Sequence, residues 1–396
     1  MTSSRKHQPA PTDTSCPIRP LIGYAAPARA TRRFAQGPAS VTLRADRGEV
    51  IRDAETTLYS YARTRTATSR WTITLHAGVP VDQAGATALF ADADDHDIGP
   101  NLRAQSIGVP GGRAFWIRDH AALVHLDELL GTITVHAGDL DAARFFAARL
   151  VRQAMTAQLL EHDAVFAHAA ALVRADHGLL IAGPKGAGKT TTLLSTLRLV
   201  GGDFVTNDRL LLSLDSDGDG TVGYAWPMHL RATASTLRAV PGMTRFLPAE
   251  QQQNSPAGQS APSGKIAIEP GDLRIALPDT QILGEVRPTL MLWPYRSDND
   301  LPPEPVPPAE VRDVLVRTQF FMHDPVTRVT SHRNHWLLPP DRDRTALALS
   351  AVADQLARTV PCVRISVTNS PATLATRVVA LFDHAATRAA GPGSRG

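Results

Sequence analysis

Apolar residues first recur at every second position. VTLRA from Val41, WTITLHA from Trp71, then RAFWIRD, AALVHL and GTITVHA, up to about His136, alternate apolar with polar residues between Gly, Pro and Asp clusters. A period of two marks half-buried strands, so this stretch predicts a small, mostly antiparallel sheet with at least one helix. The period then changes. In DLDAARFFAARLVRQAMTAQLLEHD (139–163) apolar positions fall three and four apart behind an acidic first turn, which predicts a helix. Beyond it, VFAHAAALV reads as a strand, Asp176-His177-Gly178 as a turn, and GLLIAG as an apolar strand. A helix from Lys189 to about Val200 follows, then DFVTND with its continuation RLLLSL. The chain closes on a strand, VPCVRISV, and a helix, ATLATRVVALFDHAA. Two stretches poor in apolar residues, 248–264 and 297–308, read as mobile loops or lids.

Strands interleaved with helices predict an α/β domain over 159–390, preceded by a smaller, mostly antiparallel α+β domain over 39–158. Residues 1–38 are rich in Pro, Ser, Thr and Ala without periodicity and read as a flexible basic tail. No internal repeat is visible.

The chemistry concentrates where GLLIAG ends. Gly183-Pro184-Lys185-Gly186-Ala187-Gly188-Lys189-Thr190 satisfies G-x-x-x-x-G-K-[ST] at each fixed position, between an apolar strand and a helix. Glycines let consecutive N–H groups converge on a phosphate, and the helix N-terminus adds partial positive charge. Lys189 would reach the β- and γ-phosphates, and the Thr190 hydroxyl would ligate Mg²⁺. Phosphoryl transfer also needs a second metal-linked carboxylate. Asp208, at the end of DFVTND, offers one, with a simple Asn-Asp turn as the alternative.

Other groups are weaker. His168, flanked by alanine, is by itself better read as a core residue. Lys265 and Arg231 could clamp a phosphate or stand as solvated strand-edge cations. DSDGDG (215–220) imitates a calcium loop, but position twelve is Trp226, so it reads as a tight hairpin turn. His323, His332 and His335 cluster without ligand spacing.

Composition trims the alternatives. At 396 residues the chain is long enough for two domains, and 43% hydrophobic with 20% charged residues is ordinary for a globular protein. Its net charge is +3, yet residues 1–36 alone carry +5, which leaves the remainder slightly acidic and argues against nucleic acid. Two cysteines, Cys16 and Cys362, exclude a disulfide framework and fit a reducing cytosol. No apolar run approaches a bilayer span, and Arg32-Arg33 lacks the apolar segment of an export signal, so a cytoplasmic location without membrane attachment is expected. Only four of the 41 basic residues are lysine, two of them within the phosphate loop.

Taken together, His168-Ala-Ala-Ala-Leu-Val, GLLIAGPKGAGKTT and GGDFVTNDRLLL resemble the P-loop kinase domain of the HPr kinase/phosphorylase family and its HPr-kinase-like relatives. The resemblance covers about residues 160–215 and extends to the closing strand and helix, but not to the N-terminal domain. It implies a fold like that of phosphoenolpyruvate carboxykinase and transfer of phosphate to a serine hydroxyl. By position it assigns ATP and Mg²⁺ to Gly183, Pro184, Lys185, Gly186, Ala187, Gly188, Lys189 and Thr190, with Thr191 beside them. It makes Asp208 the metal-side acid and His168 the support of the catalytic acid. Asn207 departs from the pattern, standing where the family has the aspartate that takes the hydroxyl proton. Either Asp208 does both tasks, or another group substitutes, or the chain is a nucleotide-binding accessory protein without efficient transfer. Relatives form hexamers and also accompany peptide natural-product genes. A peptide, a protein or a small-molecule hydroxyl is therefore the implied acceptor, and copies of the chain an implied partner.

Overall fold

The computed structural model describes residues 16–63, 69–99, 102–215, 217–249, 264–317, 320–322, 336–368 and 370–389. The chain divides into two units. The first takes residues up to Arg32 with Thr42–Ile51 and Arg70–Ala147, and the second takes Arg33–Val41, Arg52–Ser69 and Ala148 onward.

In the first unit, six strands lie in the spatial order Trp71–Ala77, Thr132–Ala137, Ala122–Asp127, Gly112–Ile117, Leu102–Val109 and Asp94–Gly99. Trp71–Ala77 buries every second residue, as its alternation predicts. The pairings are antiparallel except one, since Trp71–Ala77 and Thr132–Ala137 run parallel, with His76 opposite His136. Helix Gln83–Leu89 lies in the connection between them and is capped by Asp82, whose carboxylate accepts from the Gly85 N–H.

Residues 16–38 differ from the expected tail. Ile18 is buried, and Ala30–Gln36 forms a strand. A short strand with consecutive arginines, both half-buried, breaks the apolar–polar alternation that would mark it in the sequence. In the second unit Phe34 and Ala35 pair with Arg63 and Ala62. Gln36 is buried there and donates through Nε2 to the carbonyls of Ala225 (3.0 Å) and Gly284 (2.6 Å).

The second unit is built on a six-stranded sheet in the order Asp203–Thr206, Ala170–Arg174, His177–Ile181, Pro288–Arg296, Cys362–Val367 and Glu304–Val306. His177–Ile181, Pro288–Arg296 and Cys362–Val367 are parallel neighbours. Both faces are covered, so the central strands are apolar throughout. Leu179 and Ile181 pack on one side with Leu193, Leu197, Ile365 and Val378, and Leu180 packs on the other with Met291, Val352 and Leu356. Ala175 and Asp176, with φ of 46° and 65°, make the two-residue turn that joins Ala170–Arg174 to His177–Ile181. A second sheet, antiparallel, orders Val165–Ala167, Leu210–Leu214, Thr221–Ala225 and Glu285–Val286.

Three sequence expectations change here. VFAHAAALV is not one strand: its first part joins the four-stranded sheet and its second the six-stranded sheet, with the break at His168-Ala169. DFVTNDRLLLSL breaks likewise at residues 207–209. Within 297–308, Glu304–Val306 is an antiparallel edge strand on Cys362–Val367 rather than part of a lid. Prolines are tolerated there because an edge strand has one unpaired side. DSDGDG does form a turn, closed by the Asp215 N–H on the Gly220 carbonyl. Most of 248–264, and His323, His332 and His335, lie outside the described residues. Among the described residues no group of three or more His, Cys, Asp or Glu could hold a metal, and no helix is long and apolar enough to cross a membrane.

Gln36→Ala is expected to lower stability by roughly 1–3 kcal/mol, because it strips a donor from the buried Ala225 carbonyl and the half-buried Gly284 carbonyl. A urea midpoint unchanged from the parent chain would show that this contact contributes nothing.

Candidate active site

The parallel strands of the second unit all end at one edge of the sheet, where open α/β sheets place their ligands. From His177–Ile181 the chain enters the loop Gly183–Gly188 and then helix Lys189–Leu199. Gly183, Gly186 and Gly188 hold φ of 139°, 88° and 106°. These values are open to glycine and costly for other residues. At Gly188 a methyl group would also stand 3.1 Å from Val367, at the end of a neighbouring parallel strand. At Gly186 added atoms would meet nothing within 4 Å, so the loop's outer surface is open.

Lys189 begins the helix and is buried, yet its ammonium turns back on the loop. Its Nζ donates to the carbonyls of Gly183 (2.7 Å) and Pro184 (3.2 Å). Arg296, ending strand Pro288–Arg296, donates through Nε to the Gly186 carbonyl at 2.9 Å. The Thr191 hydroxyl lies 3.0 Å from that of Thr236, whose own N–H is capped by Thr233.

The two points where the chain crosses between sheets meet beside this loop. The His168 N–H donates to the Phe320 carbonyl at 2.6 Å, which fixes one corner. His168 Nε2 stands 3.2 Å from Asp208 Oδ1 on the other corner, and Arg209 Nε stands 3.6 Å from Asp208 Oδ2. Arg209 in turn lies over the Trp226 ring, 5.0 Å from its centroid. The carboxylate is thus held from both sides by cationic or hydrogen-bonding groups. Asn207 is 3% exposed. Its Nδ2 donates to the Arg231 carbonyl at 3.4 Å, and its Oδ1 has no hydrogen-bond partner among the described residues.

A cavity of about 350 Å³ joins these groups. Of the sequence-selected residues, His168, Lys185, Gly186, Gly188, Lys189, Thr190, Thr191 and Asp208 line it, as do Asn207, Arg231 and Lys265. Gly183 and Pro184 act instead by holding Lys189, and Ala187 is buried under the loop. Arg209, Arg296, Thr233, Thr236 and Met322 also line the cavity and were not anticipated. Arg209 directly follows Asp208, and Arg296 ends a parallel strand on the same edge. Both positions were therefore readable once the strand order was known.

No family model and no curated protein matches the chain. Among solved structures it is similar to the Hpr(Ser) kinase/phosphatase from Coxiella burnetii, at 14% identity over 55% of this chain and 97% of that one, with a TM-score of 0.25. A likeness that loose places no residue.

The electrostatics of the cavity follow from its partial burial. Burial pushes the Lys189 ammonium down to about 8, with Asp208 opposing and Lys265 adding to the fall. For Asp208, burial works to raise the carboxyl. The hydrogen bond and charge of His168, with Arg209 and Lys265, outweigh burial and leave it below its ordinary value. Asp208 is therefore an ionised carboxylate beside a readily discharged lysine, an arrangement suited to a phosphate and a divalent cation.

His168→Leu is expected to raise the Asp208 carboxyl pKa above that of the parent protein, read from the carboxyl carbon shift in a pH titration. An unmoved titration would mean that His168 does not stabilise the charged form.

Proposed function

We propose that the second unit is an ATP- and Mg²⁺-dependent phosphotransferase that moves the γ-phosphoryl group to the hydroxyl of a peptide, a protein or a small molecule. The observation that carries this reading is the shared cavity, in which a phosphate-type loop with its lysine faces an ionised aspartate held by a histidine.

The residues fit a magnesium-complexed triphosphate. The loop surface at Gly186 is open, Lys189 is bound to carbonyls it can exchange for phosphate oxygens, and the free Asn207 Oδ1 is an acceptor awaiting a donor. Loop N–H groups, the helix N-terminus and Lys189 would hold the β- and γ-phosphates. Thr190 and Asp208 would hold the ion, which when bound neutralises charge on the transferring group and its leaving oxygen.

In the proposed reaction the acceptor oxygen bonds to the γ-phosphorus as the bond to the β-bridging oxygen breaks, and ADP leaves with that electron pair. The acceptor proton needs a destination. Asn207 Oδ1 can accept a hydrogen bond and align the hydroxyl, but an amide does not take the proton. Asp208 is the one carboxylate lining the cavity among the described residues, so it is the proposed recipient. A weak base suffices, because positioning and charge neutralisation supply most of the catalysis in phosphoryl transfer.

Asn207 also supports a second reading, a nucleotide-binding accessory protein without transfer. Asn207→Asp separates the two by mass spectrometry of candidate acceptors incubated with ATP. Gain of transfer where the parent shows none would favour the accessory reading. Loss of an activity the parent shows would favour a kinase built around the amide. Lys189→Ala is expected to cut transfer at least a hundredfold, and an unchanged rate would remove the site assignment.

The Lys189 shift gives a pH dependence with a definite sign. Phosphate contact raises the pKa of the ammonium above about 8, so nucleotide binding takes up a proton above that pH. Affinity for ATP should fall as pH rises past about 8. Calorimetry in buffers of different ionisation enthalpy reads the uptake directly, and zero uptake at pH 9 would contradict it.

A further inference from the structure

The ribbon formed by Leu230–Thr233 and Lys265–Ile268 has two different faces. Leu230, Ala232 and Ile268 are buried in the core beneath it, with Ile266 packed against them. The alternate residues, Arg231, Thr233, Lys265 and Ala267, look outward, and the first three line the cavity. Thr233 pairs directly with Lys265 and Arg231 with Ala267, so Arg231 and Lys265 are diagonal neighbours on one face. Like charges so placed repel. Neither side chain forms an ion pair or hydrogen bond among the described residues.

The cavity as a whole has the same imbalance. Lys185, Lys189, Arg209, Arg231, Lys265 and Arg296 line it against the single carboxylate of Asp208. Lys185, Lys189 and Arg296 belong to the phosphate loop or touch it, and Arg209 is committed to Asp208. Arg231 and Lys265 remain without an ion pair among the described residues, although the charge of Lys265 also reaches Asp208 and Lys189. Their backbone ribbon is tied to Asn207 through the Arg231 carbonyl, next to the free Asn207 Oδ1 that would align an acceptor hydroxyl. A forked guanidinium and an ammonium side by side suit a carboxylate or a phosphate monoester.

We propose that the phosphate acceptor is itself anionic, its hydroxyl set against Asn207 and an accompanying carboxylate or phosphate bound by Arg231 and Lys265. This rests on the phosphotransfer reading of the cavity and adds the class of acceptor. The anion relieves the repulsion across the ribbon, and the ribbon fixes the distance between anion and hydroxyl. Neutral alcohols would lack this anchor.

The test uses the full chain, saturated with AMP-PNP and Mg²⁺, and three small probes: glycerol, glycerate and glycerol 3-phosphate. Binding is read by ligand-observed NMR titration. The expected result is that at least one anionic probe binds tenfold or more tighter than glycerol, with the tighter of the two identifying carboxylate or phosphate as the anchor group. Arg231→Ala substitution should cut that preference at least fivefold while changing AMP-PNP affinity less than threefold, and adding Lys265→Ala should remove the remainder. Equal binding of all three probes would overturn the proposal. So would an Arg231→Ala variant that loses AMP-PNP and anion affinity in equal measure, since that cation would then serve the nucleotide. If AMP-PNP itself does not bind, the nucleotide reading falls. The same titration on the free protein then decides the anion site by the same two criteria.

Discussion

Parallel strands that share a sheet must deliver their C-terminal ends to one edge, and the second unit depends on that constraint. His177–Ile181, Pro288–Arg296 and Cys362–Val367 end together, so Gly183–Gly188, Arg296 and Val367 become neighbours although they are far apart in sequence. The same edge receives the two chain crossings between sheets. A strand that leaves one sheet for another must expose a few residues with no ladder partner, and at this edge those residues are His168 on one crossing and Asn207 to Arg209 on the other. The polar groups of the cavity therefore stand where the backbone ladder is interrupted, beside the loop that interrupts the strand-to-helix connection.

Burial then sets their charge. Lys189 and Asp208 are both withdrawn from water, and each moves according to its surroundings: the ammonium towards discharge, the carboxyl kept ionised by His168, Arg209 and Lys265. An unpaired buried ammonium is costly, which accounts for the turn of Nζ onto the Gly183 and Pro184 carbonyls. A phosphate supplies what those carbonyls supply, with full negative charge in addition. The excess of cations over carboxylates along the wall of the cavity is likewise a cost to the fold, one that a polyanionic ligand would offset.

Local patterns made part of this legible. The phosphate loop was visible because its spacing, the apolar strand before it and the helix after it are contiguous in sequence. Asp208 and His168 were visible as single residues, but not as a pair: the sequence shows two uninterrupted apolar strands where the structure has two sheet crossings, and period-two alternation does not register a change of sheet. Arg231 and Lys265 were ambiguous for a related reason, since a ribbon with one buried face reads like any edge strand until its outward side is seen to border a cavity. The prolines of 297–308 concealed an edge strand, and the arginines of Ala30–Gln36 concealed a strand inside its sheet. In each case the missing information was which strand lies next to which.

If Asp208 and the Gly183–Thr190 loop form one site for a metal-bound nucleotide, Mg²⁺ adds affinity through Asp208. Calorimetric affinity of AMP-PNP with and without Mg²⁺, for the parent chain and for Asp208→Asn, tests it most directly. The affinity gained on adding Mg²⁺ should fall at least tenfold in Asp208→Asn, while metal-free affinity is retained or improved. A Mg²⁺-dependent gain of the same size in both proteins would contradict it.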